Sequence, residues 1–189
     1  MRFPKDRENK IVYPKVIQRA CLKSDFFPFD KQPISVLLRL LPKEYIYGLK
    51  QVELRPRPNS GIGNPLGLYR RSEKKIILYS APKNSWDFDK LGQGAQDYYE
   101  LHGATVLKES NSSVKVVWKE VIDLAFLFYT VFLHELGHHY QHQYRTKESI
   151  PDLKVSREKF AELVSSKLRR INLFNVWRTS KHFQKASNS

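Results

Sequence analysis

The longest apolar stretch of the chain predicts a helix through the middle of the core. From Val121 to Leu133 nearly every residue is apolar (VIDLAFLFYTVFL), a pattern typical of a helix with no face turned to water. A membrane span is the competing interpretation, but the stretch is shorter than the roughly 18 residues expected of a span and contains Asp123. The polar residues 111–113 offer an N-cap, so we expect the helix to begin near Val114 and to end near Tyr144.

A second amphipathic helix is predicted near the end of the chain. A turn containing Pro151 precedes it, and apolar residues then recur at helical spacing. These residues are Phe160, Leu163, Val164, Leu168, Ile171, Phe174 and Trp177.

Strand patterns precede the long helix. Val52 and Leu54 alternate with polar neighbours, and the segments GLYRR and KKIILYS indicate two strands joined around residues 72–74. Together they predict a small antiparallel sheet packed on the long helix. The basic residues of this region are expected on a solvated face of the sheet; they are Arg55, Arg57, Arg70, Arg71, Lys74 and Lys75.

Two shorter helices are predicted outside this core. One covers residues 35–41 and ends at or after Pro42. The other covers residues 93–101 and is closed by Gly103. The rest of the segment from residue 81 to residue 113 is predicted to be loop.

These patterns define an α+β chain with three parts. Residues 1–48 form a basic and aromatic N-terminal arm packed on the domain, residues 49–178 form the domain itself, and residues 179–189 form a basic tail. The chain has 189 residues, which suits one domain with a sizeable core.

Charge and cysteine content indicate the class of partner and the cellular compartment. Lysine and arginine number 33 against 19 acidic residues, a net charge of +14, which favours nucleic acid or an acidic protein surface as a partner. Cys21 is the single cysteine, so no intramolecular disulfide can form, and the first residues lack the apolar stretch of a secretory signal. We therefore expect a cytoplasmic protein that does not bind a membrane.

Candidate chemistry lies at the polar end of the long helix, where His134, Glu135 and His138 spell HExxH. Residues four apart share a helix face, so both histidines can offer a ring nitrogen to one metal ion. Two imidazoles leave a tetrahedral zinc ion short of ligands. Glu135 is placed to take a proton from a water that zinc activates, which is the role of a general base.

Three residues are candidates for the third protein ligand. His139 is turned about 100° away from the metal face, and His142 lies a further helical turn along from His138. Glu158 lies on the second predicted helix, and Glu162 follows it by four residues on the same face. Both carboxylates can therefore point back at the HExxH site, and Glu158 is the best placed.

The sequence HELGHH followed by REKFAE resembles the gluzincin branch of the zincin metallopeptidases, in which a second helix carries a glutamate ligand and, one turn later, another acid. Glu158 comes twenty residues after His138, as in that pattern. The resemblance implies a zincin-like fold, Glu158 as third zinc ligand and Glu162 as a carboxylate that orients a ligand histidine.

The short loops and the HELGHH phrase also resemble the compact intracellular ImmA/IrrE group. That group usually places its glutamate in an E-A-N-x-F-A context, and aligning Phe160 and Ala161 with the final F-A puts Ser156 at the ligand position. For the residue that stabilises an oxyanion, the sequence offers three candidates: Tyr140, Tyr144 and His182.

The expected function is that of a metalloendopeptidase with one catalytic zinc ion and a protein or peptide substrate. The alternative is a nucleic-acid-binding module with a structural or vestigial zinc site, or a protease recruited to proteins bound to DNA. Its support is the basic and aromatic C-terminal part, in which no acidic residue follows Glu162. The same aromatic residues equally suit the packed face of a helix.

Overall fold

The computed structural model describes residues 12–58, 66–110, 113–144, 156–171 and 174. Its elements in chain order are β1 (Lys15–Gln18), β2 (Asp25–Phe26), α1 (Lys31–Leu40), α2 (Lys43–Ile46), β3 (Gln51–Arg55), β4 (Gly67–Arg70), β5 (Lys75–Tyr79), β6 (Ala81–Pro82), β7 (Trp86–Phe88), α3 (Gln93–Leu101), β8 (Ala104–Lys108), β9 (Val114–Trp118), α4 (Val121–Tyr144) and α5 (Arg157–Arg170). The architecture is mixed α+β, as the sequence predicted.

The main sheet has four strands in the order β1-β3-β5-β4. The predicted hairpin of β4 and β5 is confirmed, and these two strands are antiparallel. The prediction of a purely antiparallel sheet is wrong, because β3 pairs in parallel with both β1 and β5. Strand β1 belongs to the segment predicted as an arm, so that segment contributes an edge strand to the sheet.

The predicted start of the long helix is also wrong. Residues 114–118 form strand β9, which lies between β7 and β8 in a three-stranded antiparallel sheet, and α4 begins at Val121. The segment is VKVVW, in which Val114 and Val116 are buried, and β-branched residues that alternate in this way pack well on a pleated surface. Strands β6, β7 and β8 likewise occupy part of the segment predicted as loop.

The two shorter helices lie where the sequence predicted them, but α1 begins at Lys31, four residues before the predicted start at residue 35. Helix α1 begins after Asp30, whose side chain accepts a hydrogen bond from the backbone N–H of Gln32, and it ends two residues before Pro42. Helix α3 has the predicted bounds, and Gly103 follows its C-cap with a φ of +83°, a backbone conformation that favours glycine.

Helix α4 is the core helix of the molecule. The side chains of Phe128, Phe132 and Leu136 are fully buried in it, and it packs against α2, α5 and the sheet strands β4 and β5. By length and composition α4 could cross a membrane, but 61% of its most apolar window is buried inside the fold, as in a core helix.

Helix α5 packs closely along α4. A Cβ atom added to Gly137 would lie 2.7 Å from the backbone Cα and O atoms of Ala161, so the glycine lets the two helix backbones approach. Ala161, Val164, Ser165 and Leu168 form the buried stripe of α5. The prediction that Leu163 and Ile171 share this packed face is wrong: they are 57% and 47% exposed. Trp177 lies outside the described residues.

Candidate metal centre

His134, His138 and Glu158 converge at the meeting point of α4 and α5. One ligand atom from each residue lies within 4.8 Å of the other two. The Oε2 atom of Glu158 lies 3.2 Å from Nε2 of His134 and 3.5 Å from Nε2 of His138. The structure thus brings together the three residues that the sequence proposed as ligands.

The donor set and its spacing suit a zinc ion. Two imidazole nitrogens and one carboxylate oxygen are the ligands of many catalytic zinc sites, which leave one position open. With bonds of about 2.0–2.1 Å, the ligand atoms of a tetrahedral zinc site lie roughly 3.4 Å apart, close to the two distances above. The half-buried histidines form the inner side of the group, and Glu158, 75% exposed, forms its outer side.

Glu162 lies on the opposite edge of the His134 ring. Its Oε2 atom is 3.5 Å from Nδ1 of His134, while its other oxygen accepts a hydrogen bond from Arg169. A carboxylate beside the ring nitrogen that does not face the metal favours one tautomer and ring orientation of a ligand histidine. The geometry suits the orienting role that the resemblance implied.

Glu135 is buried beside this cluster without belonging to it. Its side chain lies in the same cleft and is only 9% exposed as a residue. Burial raises the pKa of Glu135 to about 7, while the charge of His134 and a hydrogen bond from the backbone of Tyr69 oppose the rise. A carboxylate with such a pKa can both accept and release a proton near neutrality.

The close approach of β4 to α4 depends on Gly67. A Cβ atom at this position would lie 2.5 Å from Cγ1 of Val131 and 3.0 Å from Cγ of Glu135. With glycine there, the strand can pass directly over the helix, and the backbone of Tyr69 reaches the Glu135 carboxylate.

His139 belongs to a buried hydrogen-bond chain instead of the metal cluster. It is fully buried, its Nε2 lies 3.0 Å from the carbonyl oxygen of Tyr47, and its Nδ1 lies 3.1 Å from the hydroxyl of Tyr69. Burial lowers the pKa of His139 to about 4, so the ring is neutral and carries one proton. Because a carbonyl only accepts, that proton is on Nε2, and Nδ1 accepts from the Tyr69 hydroxyl.

His142 completes this chain. Its Nδ1 lies 2.8 Å from the Tyr69 oxygen, and since the Tyr69 proton is donated to His139, His142 must be the donor in this second bond. The structure therefore ties His142 to Tyr69 and leaves it out of the ligand group. Tyr69 was not among the site residues predicted from the sequence; its alternation with Leu68 and Arg70 in a strand was the available signal.

The site opens into a cleft of about 370 Å³ between α4, β4 and the start of α5. Its lining consists of Leu68, Tyr69, Arg71, His134, Glu135, His138, Gln141, His142, Arg157 and Glu158. The cleft therefore offers a water-accessible space beside both the ligand group and the buried carboxylate.

Two of the predicted oxyanion candidates, Tyr140 and Tyr144, do not line this cleft. Tyr140 stacks against Tyr45 at a centroid distance of 4.8 Å, and the hydroxyl of Tyr144 donates to the carbonyl oxygen of Glu44. His182 lies outside the described residues. Ser156 accepts a hydrogen bond from the backbone N–H of Lys159 as the N-cap of α5, so it has a structural task at that position.

Comparison with known proteins returned no matching family model, no matching curated protein and no matching solved structure.

Proposed function

We propose that this protein is a zinc-dependent metallopeptidase with the ligand arrangement and zincin-like fold of the gluzincins. One observation carries the proposal: two histidines of α4 and one glutamate of α5 bring their ligand atoms within 4.8 Å of one another, in a cleft that also contains the buried carboxylate of Glu135. A structural role alone would not require an acid held beside the cluster.

His134, His138 and Glu158 would hold the metal ion, and Glu162 would fix the ring of His134. When bound, zinc supplies a Lewis acid that activates water and polarises a carbonyl group. Glu135 would accept the proton of the attacking water and return it to the amine that leaves, as expected of a general base held in the same cleft as the ligand group. The backbone N–H of Tyr69 holds the Glu135 carboxylate in position between these two transfers.

The alternative, a nucleic-acid-binding module with a structural zinc site, is less well supported. Structural zinc sites usually close with four protein ligands, whereas in the described part of the chain the cluster comprises three. The basic and aromatic residues from 175 onwards, which motivate that alternative, lie outside the described residues.

The proposal is tested by the substitution Glu135→Gln, which keeps the shape of the side chain and removes its ability to accept a proton. We expect the purified variant to retain its zinc content and its unfolding temperature. Hydrolysis of a peptide cleaved by the wild type should fall by about 10²-fold or more, the range attributed to a positioned base.

Glu120→Gln is the matched control, because Glu120 is exposed and precedes α4. It should leave zinc content and hydrolysis unchanged. Equal cleavage by the wild type and Glu135→Gln would refute the proposed mechanism, and loss of zinc from Glu135→Gln would show that Glu135 has a structural role.

A further inference from the structure

Strand β4 and the turn after it form one wall of the cleft, and Arg71 lies on this wall. Arg71 differs from the other arginines of this region in its ion pairing. The other arginines of this sheet region each pair with an acid: Arg55 with Glu53 at 3.0 Å and Arg70 with Glu73 at 3.0 Å. Arg71 lines the cleft and is exposed. Among the described residues it has no ion-pair partner, so its charge is available to a ligand.

The turn between β4 and β5 fixes the backbone position of Arg71. The backbone N–H of Lys74 bonds to the carbonyl oxygen of Arg71, and Lys74 adopts a φ of +49°. Arg71 follows Tyr69 by two residues, and Tyr69 contacts both Glu135 and His142. After burial, Arg71 is the main reason that the pKa of His142 lies below its ordinary value, which places the guanidinium charge close to this wall.

The two arginines and the two glutamates of the cleft lining carry opposite charges in equal number. Of the two glutamates, Glu158 is a proposed metal ligand and Glu135 is buried beside the ligand group. Arg71 and Arg157 are the arginines, and a divalent cation would add to their charge. A substrate that enters the metal-loaded cleft would therefore meet an excess of positive charge, which favours an anionic group near the reacting bond.

We propose that Arg71 forms a carboxylate-binding subsite, so that the enzyme prefers peptides with a glutamate or aspartate side chain close to the scissile bond. The inference rests on the proposed peptidase function for the identity of the ligand as a peptide. A guanidinium matches a carboxylate in shape and can donate two parallel hydrogen bonds. Arg157, at the start of α5, lies across the same cleft and would strengthen the preference.

The test measures binding, so that it does not depend on turnover. Two fluorescently labelled decapeptides differ only in having glutamate or glutamine at alternate positions, and their affinities are measured by anisotropy for zinc-loaded and for metal-stripped protein in the Glu135→Gln background. We expect the glutamate peptide to bind about tenfold more tightly at low salt and the ratio to shrink as salt increases.

Arg71→Gln should bring the affinity ratio close to one in the metal-stripped protein, and Arg71→Glu should favour a lysine version of the peptide. Arg70→Gln is the matched control: it removes the neighbouring arginine of the same hairpin, whose charge is paired with Glu73. It should keep the tenfold ratio, whereas a general attraction by the net charge of +14 would respond equally to both changes.

Several results overturn the inference. They are equal binding of the two peptides, an unchanged ratio in Arg71→Gln, an equal loss in Arg70→Gln, or an Arg71-dependent affinity for a single-stranded oligonucleotide greater than that for the glutamate peptide. If peptides are cleaved through Glu135 without any acidic preference, the subsite is refuted and the peptidase stands. If the Arg71-dependent preference appears but no peptide is cleaved, the peptidase is refuted and the subsite stands.

Discussion

Tyr69 joins the sheet to the candidate site through two separate groups. Its backbone bonds to Glu135, and its hydroxyl lies between His139 and His142. Since His139 is fully buried, its Nδ1 has no access to water that could replace the Tyr69 hydroxyl. A buried polar atom that loses its partner costs roughly 1–3 kcal/mol.

Tyr69→Phe should therefore lower the free energy of unfolding by about 1–3 kcal/mol while zinc content stays the same, because the three proposed ligands are untouched. Urea denaturation and metal analysis of the same preparation measure both quantities. Tyr13→Phe is the control, since Tyr13 is 45% exposed, and it should change stability by less than about 0.5 kcal/mol. Loss of zinc from Tyr69→Phe would contradict the prediction that the Tyr69 hydroxyl stabilises the fold without affecting the metal centre.

Glu158 and His142 line the same cleft, but only Glu158 belongs to the proposed ligand group. Glu158→Ala removes an atom of the convergent group and should abolish stoichiometric zinc binding. His142→Ala should keep zinc, because Nδ1 of His142 is bonded to Tyr69. Glu162→Ala should weaken zinc affinity by about 10- to 100-fold, as expected for a group that orients a ligand.

Competition titrations with a chelator of known zinc affinity give all three values. Loss of zinc from His142→Ala together with its retention in Glu158→Ala would show that the ligand set is wrong.

At the scale of elements, the contact between α4 and α5 decides whether the ligand group exists. The ligands come from both helices. The helices touch at Gly137, the residue before His138, and at Ala161, three residues after Glu158. Ala161 opposes Gly137 with backbone atoms, which cannot rotate away as a side chain would. Any side chain at residue 137 must therefore separate the helices.

Gly137→Ala should lower the free energy of unfolding by about 1–3 kcal/mol, the usual cost of overpacking, and should weaken zinc binding by moving Glu158 away from the histidines. Thermal unfolding and zinc titration measure the two effects. Gly94→Ala is the matched control, because Gly94 lies in α3 and a Cβ atom there meets nothing within 4 Å. Its stability should be unchanged or slightly raised, and a similar loss in both variants would refute the packing argument.

At the scale of the whole molecule, the buried carboxylate of Glu53 connects residues from different parts of the main sheet. Glu53 on β3 is 1% exposed and accepts hydrogen bonds from Arg19 and Arg55, while Lys75 on β5 lies 3.3 Å away. Burial by itself raises the pKa of Glu53, but the hydrogen bonds from Arg55, Arg19 and Lys75 outweigh it and lower the pKa below its ordinary value. The ionised form is therefore the one that stabilises the fold.

The lowered pKa of Glu53 determines how the stability of the fold changes with pH. A lowered pKa in the folded state gives stability that is present above the unfolded pKa of about 4.3 and is lost as the pH falls through the folded value. Glu53→Gln should lower the free energy of unfolding by about 1–3 kcal/mol at pH 7, since it removes charge-assisted hydrogen bonds while the exposed part of Arg19 and Arg55 can be hydrated and Lys75 keeps Glu73 as a partner. The difference from the wild type should shrink below about pH 4.

Urea denaturation over a series of pH values measures this difference. Glu73→Gln, which removes a carboxylate that is 43% exposed, should have a much smaller effect. A difference between the wild type and Glu53→Gln that does not change with pH would contradict the assignment.

The sequence by itself determined the elements whose signal is local. The bounds of α3, the β4–β5 hairpin and the i, i+4 spacings of His134 with His138 and of Glu158 with Glu162 can be read from neighbouring residues. Helical and strand periods depend on side chains only a few positions apart, so these features did not require knowledge of the fold.

Only the tertiary structure decided how distant segments meet. Residues 114–118 became a strand because β7 and β8 pair with them. Tyr69 contacts His139, which is 70 positions away in the sequence. Arg71 lines the cleft whereas Arg70 pairs with Glu73, a difference that neighbouring residues in the sequence do not indicate. Such contacts depend on the packing of whole elements against α4, because burial and pairing energies arise between residues that the sequence keeps far apart.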